Sequence, residues 1–358
     1  MTDTLALTID GQIWTGWTDI EITGAIDRMA WEFKVGITET DPDGEIRQAF
    51  GPQAAVQVHA GEDLLVTGFL DACEPSYDDG SHGIALRGRS ATGDLVDCSV
   101  LAEPSQWRNI AIDALARVLC KPFGIAVRLE GDAGPPIRQF QIEEGETVHA
   151  AIERACRWRG LLPTAGPDGA LVLTTGGAGG ATGDVLDPTA SPPRIKAASG
   201  QYDVTGRFST YVGKGQGTLE DGWNVKAVAH PRARVVDPEI TRYRPLLLVG
   251  EELSDNITLT DRLSWEARVR AGRSRTATVT VQGWRDAFGK LWRPNTTVHL
   301  VDDWLAIDLD LLITAVAFRR SDDGGTVTEL TLAHPDAWIP EPGSETVPAT
   351  QAIGWHNP

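Results

Sequence analysis

Apolar and polar residues alternate in short bursts along the first hundred positions. Leu5, Leu7 and Ile9 share one side of a two-residue period, Asp10-Gly11 supplies a positive-φ turn, and Ile13 opens the return strand. That pattern predicts a β-hairpin. Further strands are expected over residues 20–23, 31–37, 56–60, 66–72 and 84–89. No helical period interrupts them, so the region reads as a barrel or sandwich, in which closure removes exposed strand edges.

The period changes after residue 100. Ser105 is placed as the N-cap of a helix over 106–120, with Ile110, Ala111, Ala114, Leu115 and Val118 on one face and Pro122 and Gly124 ending it. A strand over 125–129 follows. A second helix is expected over 147–159, stopped by Gly160, and then a hairpin between Leu161-Leu162 and 171–173 that turns at Asp168-Gly169. The Gly- and Pro-rich stretch 176–193 reads as a linker or exposed loop. Strands near 199–212 and 222–229, an apolar run at 246–249 and a helix over 260–271 with Leu263, Ala267 and Arg270 come next. From 273 to 334 the β pattern returns. The tail from Pro340 is expected to be extended.

That return is a repetition. Pro52, Val56-Gln57-Val58-His59, an acidic turn at Glu62-Asp63, an apolar strand 66–72, Ser76, Asp78-Asp79-Gly80 and a strand with Ile84 and Leu86 recur in order. The second set is Pro294, Val298-His299-Leu300-Val301, Asp302-Asp303, 311–316, Ser321, Asp322-Asp323-Gly324 and a strand with Val327, Leu330 and Leu332. The prolines lie 242 positions apart and the Asp-Gly turns 244, which a two-residue insertion near the acidic turn explains.

Composition narrows the class. A chain of 358 residues with 41% hydrophobic and 23% charged residues is globular and long enough for several cores. No apolar run spans a bilayer, and the N-terminus carries no basic-then-apolar leader, so folding in a cytoplasm without membrane insertion is expected. Residues 1–100 hold 18 acidic against 5 basic side chains, −13 of a net −18. Such a surface repels nucleic acid, and a sequence-specific DNA binder is not expected.

There is no GxSxG, HExxH or Walker A pattern. The runs GGAGGATG (176–183) and GKGQGT (213–218) lack the spacing of a phosphate loop. The histidines at 59, 82, 149, 230, 299, 334 and 356 are dispersed, and His59 and His299 sit at or beside matching places in the repeat. Asp302, Asp303, Asp308 and Asp310 lack calcium-loop spacing and read as a turn between strands, as do Asp78-Asp79 and Asp322-Asp323. Cys73, Cys98, Cys120 and Cys156 form no CxxC pair and read as buried thiols. Twelve Trp against four Tyr, spread over the chain, read as core and interface anchors. No catalytic residue, cofactor or metal is expected.

Several short motifs, in order, carry a resemblance. GRSATGDLVDCS (88–99), QWRN (106–109), KPFGI (121–125) and F-x-I-E-x-GE (140–146) are preceded by Gly11 and Gly16-Trp17. They are followed by LLITAVAF (311–318), SDDGGTVTELTL (321–332) and PDAW (335–338). The set resembles the baseplate hub proteins of Mu-like contractile-tailed phages, which are related in architecture to the hub half of type VI secretion spike proteins. The resemblance runs along nearly the whole chain and is least distinctive over 176–270. It implies a non-enzymatic virion protein, assembled in the host cytoplasm, that forms a homotrimeric pseudo-sixfold ring. Such a ring joins a hexameric tail tube protein to a trimeric central spike protein, contacts other baseplate proteins and lets DNA pass without specific binding. The needle is expected to be a separate polypeptide.

The expected fold is α+β, mainly β, with two related β-barrel domains. Residues 1–100 form the first barrel, 101–175 a small α+β domain, and 176–270 a linker and mixed β region with a helix, free or packed on the first barrel. Residues 271–340 form the second barrel and 341–358 the tail. A rival reading is a cell-wall glycan-binding or glycan-cleaving protein acting through 101–175, because IEEGETVHAAIERAC (142–156) faintly resembles the lysin motif. A secretion-system hub is a second rival, differing in partners.

Overall fold

Among the described residues, the alternation of the first ninety positions folds as seven strands: β1 (Leu5–Ile9), β2 (Gln12–Trp14), β3 (Asp19–Ala25), β4 (Glu32–Thr38), β5 (Ala55–Ala60), β6 (Asp63–Tyr77) and β7 (His82–Ser90). The computed structural model describes residues 4–9, 11–15, 17–38, 51, 53–79, 82–214, 232–249, 256–321 and 324–339. The expected hairpin is β1–β2, with Thr8 opposite Ile13 and Ile9 opposite Gln12. Gly11 holds φ +84° in its turn, while Asp10 lies outside the described residues. Leu5, Leu7 and Ile9 are buried, and the other edge of β1 pairs with β5. A Cβ on Gly24 would fall 2.1 Å from an indole carbon of Trp31, so only glycine lets that ring close on β3.

Next comes a module of short elements: α1 (Gly93–Asp97), β8 (Gln106–Ile110), α2 (Ile112–Cys120), β9 (Val127–Glu130), β10 (Ile137–Gln141), α3 (Val148–Arg157), β11 (Leu162–Ala165) and β12 (Leu171–Thr174). Both main helices bury residues at i, i+3, i+4, i+7 and i+8: Ile112, Leu115, Ala116, Leu119 and Cys120 in α2, and Val148, Ala151, Ile152, Ala155 and Cys156 in α3. These faces share one core with Phe140, Leu171 and Leu173. The helix expected over 106–120 is corrected. Residues 106–110 are a strand paired antiparallel to β10, and Asn109 at φ +53° lies outside helical geometry. The pairing partner lies thirty positions on, beyond the reach of a local period. Ala111, not Ser105, occupies the N-cap.

The remaining elements are β13 (Ala181–Leu186), β14 (Ile195–Tyr202), β15 (Thr210–Lys214), β16 (Arg232–Val236), β17 (Pro245–Val249), α4 (Asn256–Arg273), β18 (Arg275–Gln282), β19 (Thr297–Asp302), β20 (Ile307–Ser321) and β21 (Gly325–Ala333). The stretch 176–193, expected as a linker, contains β13, which pairs parallel to β19. Its glycines masked the strand. The strand expected over 199–212 is two strands with a turn between them, and the one expected over 222–229 lies outside the described residues, as does the tail beyond 339.

The chain divides into two compact units. The first, Met1–Ser199 with Thr278–Leu332, holds the α+β module and a thirteen-stranded sheet, to which β14 and β18 contribute their parts within those limits. The second, Gly200–Ala277 with Ala333–Pro358, holds the sheet β16-β15-β17, with α4 packed on it. In it Arg207, 3% exposed, makes a bidentate pair with Asp237 and also reaches Glu239 and the Ser274 hydroxyl. A buried guanidinium needs this full set of acceptors. Among the described residues no helix is long and apolar enough to cross a membrane.

Candidate assembly interface

The repeat seen in the sequence is a repeat of strands. β5 and β19 have 6 residues each, β6 and β20 have 15, and β7 and β21 have 9. The hydrogen bonds correspond as well. Gln53 N–H donates to the Leu70 carbonyl (2.7 Å) and Leu70 N–H to the Ala54 carbonyl (3.0 Å). In the second copy Asn295 N–H donates to the Ile313 carbonyl (2.8 Å) and Ile313 N–H to the Thr296 carbonyl (2.8 Å). Gln53 and Asn295 both have positive φ, +80° and +68°. The strand order β3-β4-β7-β6-β5 is matched by β14-β18-β21-β20-β19, so the duplication extends beyond the stretch the sequence revealed; the sixth strands differ, β1 running antiparallel to β5 and β13 parallel to β19.

One ladder joins the copies. Residues 315–320 of β20 pair antiparallel with residues 20–25 of β3, and Arg319 bridges Glu21 and Glu329 at 3.0 Å each. Residues 283–296 of the second copy also grip the β5–β6 turn of the first. Arg285 binds Asp63 (2.6 Å) and the Ala60 carbonyl (3.0 Å), and Arg293 donates to the Leu64 carbonyl (2.9 Å). Burial pulls the Arg293 pKa below its ordinary value, against the opposing field of Asp63. Asp63, Thr182, Asp286, Lys290, Arg293 and Thr296 line an open cleft of about 390 Å³ at this junction. The contacts between the copies are not legible in the sequence, since each partner lies more than 200 positions away; the doubled strand pattern is the one available signal.

The two copies differ in what their matching strands meet. Val316, Ala317 and Phe318, in the segment of β20 that pairs with β3, are buried. In β6 the corresponding end of the strand, residues 74–77, is exposed, Tyr77 at 82%, and among the described residues nothing pairs with the outer edge of 72–77. Likewise Ile20, Ile22 and Ala25 of β3 are buried, whereas residues 196–199 of β14 are exposed.

The acidic, histidine, cysteine and tryptophan candidates scatter over turns, surfaces and cores. Asp302 is buried and accepts from the Leu305 N–H (2.9 Å), forming the β19–β20 turn. Asp308 and Asp310 flank His299 at 3.1 and 2.9 Å, and the hydrogen bond to Asp310 raises the His299 pKa. The contact therefore stabilises the fold below the ordinary histidine pKa and fades as pH rises through the raised value. Among the described residues no group of three His, Cys, Asp or Glu could hold a metal ion. Asp78 and Asp79 lie between β6 and β7; Gly80, Asp322 and Asp323 are outside the described residues. Cys120 and Cys156 are buried, and desolvation pushes the Cys120 thiol up to about 12. Cys98 is exposed and Cys73 half-buried, correcting the expectation of buried thiols throughout. Trp284 and Trp292 are fully buried, whereas Trp304, 94% exposed, stands at the tip of the lengthened β19–β20 turn. Trp223, Trp355, His230 and His356 lie outside the described residues.

A duplicated β-layer carrying an α+β module, held together by strand pairing and ion pairs, is the build of a structural tail protein. Residues 4–90 match the N-terminal domain described for Mu phage baseplate assembly protein GpP-like proteins, 92–175 the second domain of baseplate hub protein gp44-like proteins, and 256–341 the fourth domain of Mu phage baseplate assembly protein GpP. The chain is 29% identical over 350 residues to the baseplate hub protein gp44 of Escherichia phage Mu, covering 95% of this chain and 90% of that one. Among solved structures, the 43 kDa tail protein of prophage MuSo2 from Shewanella oneidensis is 34% identical, with TM-score 0.78 over 94% of this chain and 100% of that one. A tail protein from Neisseria meningitidis MC58 is 25% identical, with TM-score 0.75 over 95% and 99%. The chain belongs to the baseplate hub proteins of Mu-like contractile-tailed phages. It is a component of the virion tail, and its relatives are structural proteins.

Proposed function

We propose that three copies of this chain form a pseudo-sixfold ring that joins the sixfold tail tube to the threefold central spike and lets DNA through its bore. The observation that carries this reading is the duplication itself. Five matched strands per copy, two copies per chain, give a trimer six similar segments, so one chain can face sixfold symmetry on one side and threefold on the other. The work is done by packing and symmetry, and no catalytic step is assigned. Partners are the tube protein, the spike protein and other baseplate proteins. The acidic excess of residues 1–100 suits a bore lining that repels phosphate. Light scattering tests the assembly: the expected solution mass is three times 38.5 kDa, and a stable monomer at high concentration overturns the reading.

A further inference from the structure

We infer that the cleft at the junction of the two copies, lined by Lys290 and Arg293, binds a small organic anion through a phosphate or carboxylate group. The cleft lies within one chain, so the inference goes beyond the ring reading and stands or falls without it.

The unused polar groups of the cleft are cationic. Arg293 donates one guanidinium nitrogen to the Leu64 carbonyl (2.9 Å), while its Nη1 is buried and has no acceptor among the described residues. Burial lowers its pKa and the field of Asp63 offsets this only in part, as for a cation whose lost hydration no partner replaces. Lys290 lines the same cleft and is exposed, and its ammonium has no acceptor among the described residues. The carboxylates, by contrast, are engaged. Asp63 pairs with Arg285 (2.6 Å), and Asp286 accepts from the Phe288 and Lys290 N–H groups (2.9 Å each). The hydroxyls are engaged too, Thr182 donating to the Thr297 carbonyl (3.1 Å) and Thr296 to the Arg293 carbonyl (2.7 Å). Two cations remain, and an oxyanion is the group that completes them.

A bare ion leaves much of this space unfilled. The volume of about 390 Å³ falls in the range of small-molecule sites, and Gly179, Ala181, Gly289 and Leu291 give the rest of the wall no charge. The fitting ligand therefore joins one anionic head to a compact, uncharged body. Seated there, it touches both copies and adds to the grip of Arg285 and Arg293 on the β5–β6 turn.

Guanidinium and ammonium groups take phosphate and carboxylate alike, so the test separates the two heads. Thermal unfolding of the full chain is followed as glycerol phosphate or butyrate is added, with sodium chloride holding ionic strength constant. A saturable rise in Tm is expected with at least one of them. Lys290→Gln, an exposed substitution that keeps the fold, is expected to raise the half-effect concentration about tenfold or more, through one lost charge-assisted hydrogen bond. Lys290→Arg is expected to restore most of the response, and Arg293→Gln to abolish it; if Arg293→Gln fails to fold, the two Lys290 variants decide. A response to glycerol phosphate alone assigns a phosphate head, to butyrate alone a carboxylate, and to both the wider anion class. A Tm that follows ionic strength only, or a response unchanged in Lys290→Gln, overturns the site.

Discussion

Asn295 performs two tasks in one residue. Its backbone takes φ +68°, which asparagine tolerates better than most side chains, and the residue is 9% exposed. Its amide donates to the Thr174 hydroxyl (3.2 Å) and the Thr175 carbonyl (3.0 Å), and its carbonyl oxygen accepts from Gly177 N–H (2.7 Å). The second copy is thereby pinned to the end of the α+β module. Asn295→Ala is expected to cost about 3 kcal/mol, because it strands buried partners and strains the backbone. Asn295→Gly keeps the conformational freedom and is expected to cost about 1 kcal/mol less. Urea unfolding of the full chain checks the order, and equal losses would remove the backbone from the argument. The Pro-x turn was readable in the sequence as half of a repeat. The partners of its amide were not, since they lie about 120 positions upstream and carry no pattern of their own.

At the scale of elements, legibility followed the origin of the stabilising contact. α3 was expected nearly as it is found, because its cap and its apolar stripe are both local. The Thr147 hydroxyl accepts from Ala150 N–H (3.2 Å), and Arg154 lies 4.4 Å over the Phe140 ring while binding Glu146. Thr147→Ala is expected to lower stability by about 1 kcal/mol and Thr147→Ser by far less, read by thermal unfolding. A loss as large as that of a core deletion would mean that Thr147 acts through more than its cap. β8 and β13 were missed for the opposite reason. A five-residue strand beside a helix is absorbed into the helix's apparent period, and a strand that follows a glycine-rich stretch is hidden by it. Both exist because a distant strand supplies the hydrogen bonds.

For the whole molecule, the copies are alike in fold and unequal in charge and in edge. The first copy lies within the part of the chain that holds −13 of the net −18. If its carboxylates face the bore, the assembled protein will not retain duplex DNA even at low salt. Replacing exposed first-copy carboxylates by their amides would then create retention that falls steeply with added salt, as phosphate contacts do. Filter binding reads both, and a ring structure with these carboxylates on its outer rim would end the bore reading. The same inequality appears in the edges, where the strands that are covered in one copy are bare in the other.

The order of residues by itself determined the β class, the hairpins, the amphipathic helices and the duplicated Pro–strand–acid–strand–Asp-Gly unit. Each is written in spacings of a few residues or in a simple offset. Only the tertiary structure decided that the duplication reaches back to β14 and that β20 pairs with β3. It alone showed that the equivalent edges of β6 and β14 stand open. Strand pairing is a backbone interaction, and its partner is chosen by the path of the whole chain rather than by the side chains of either strand.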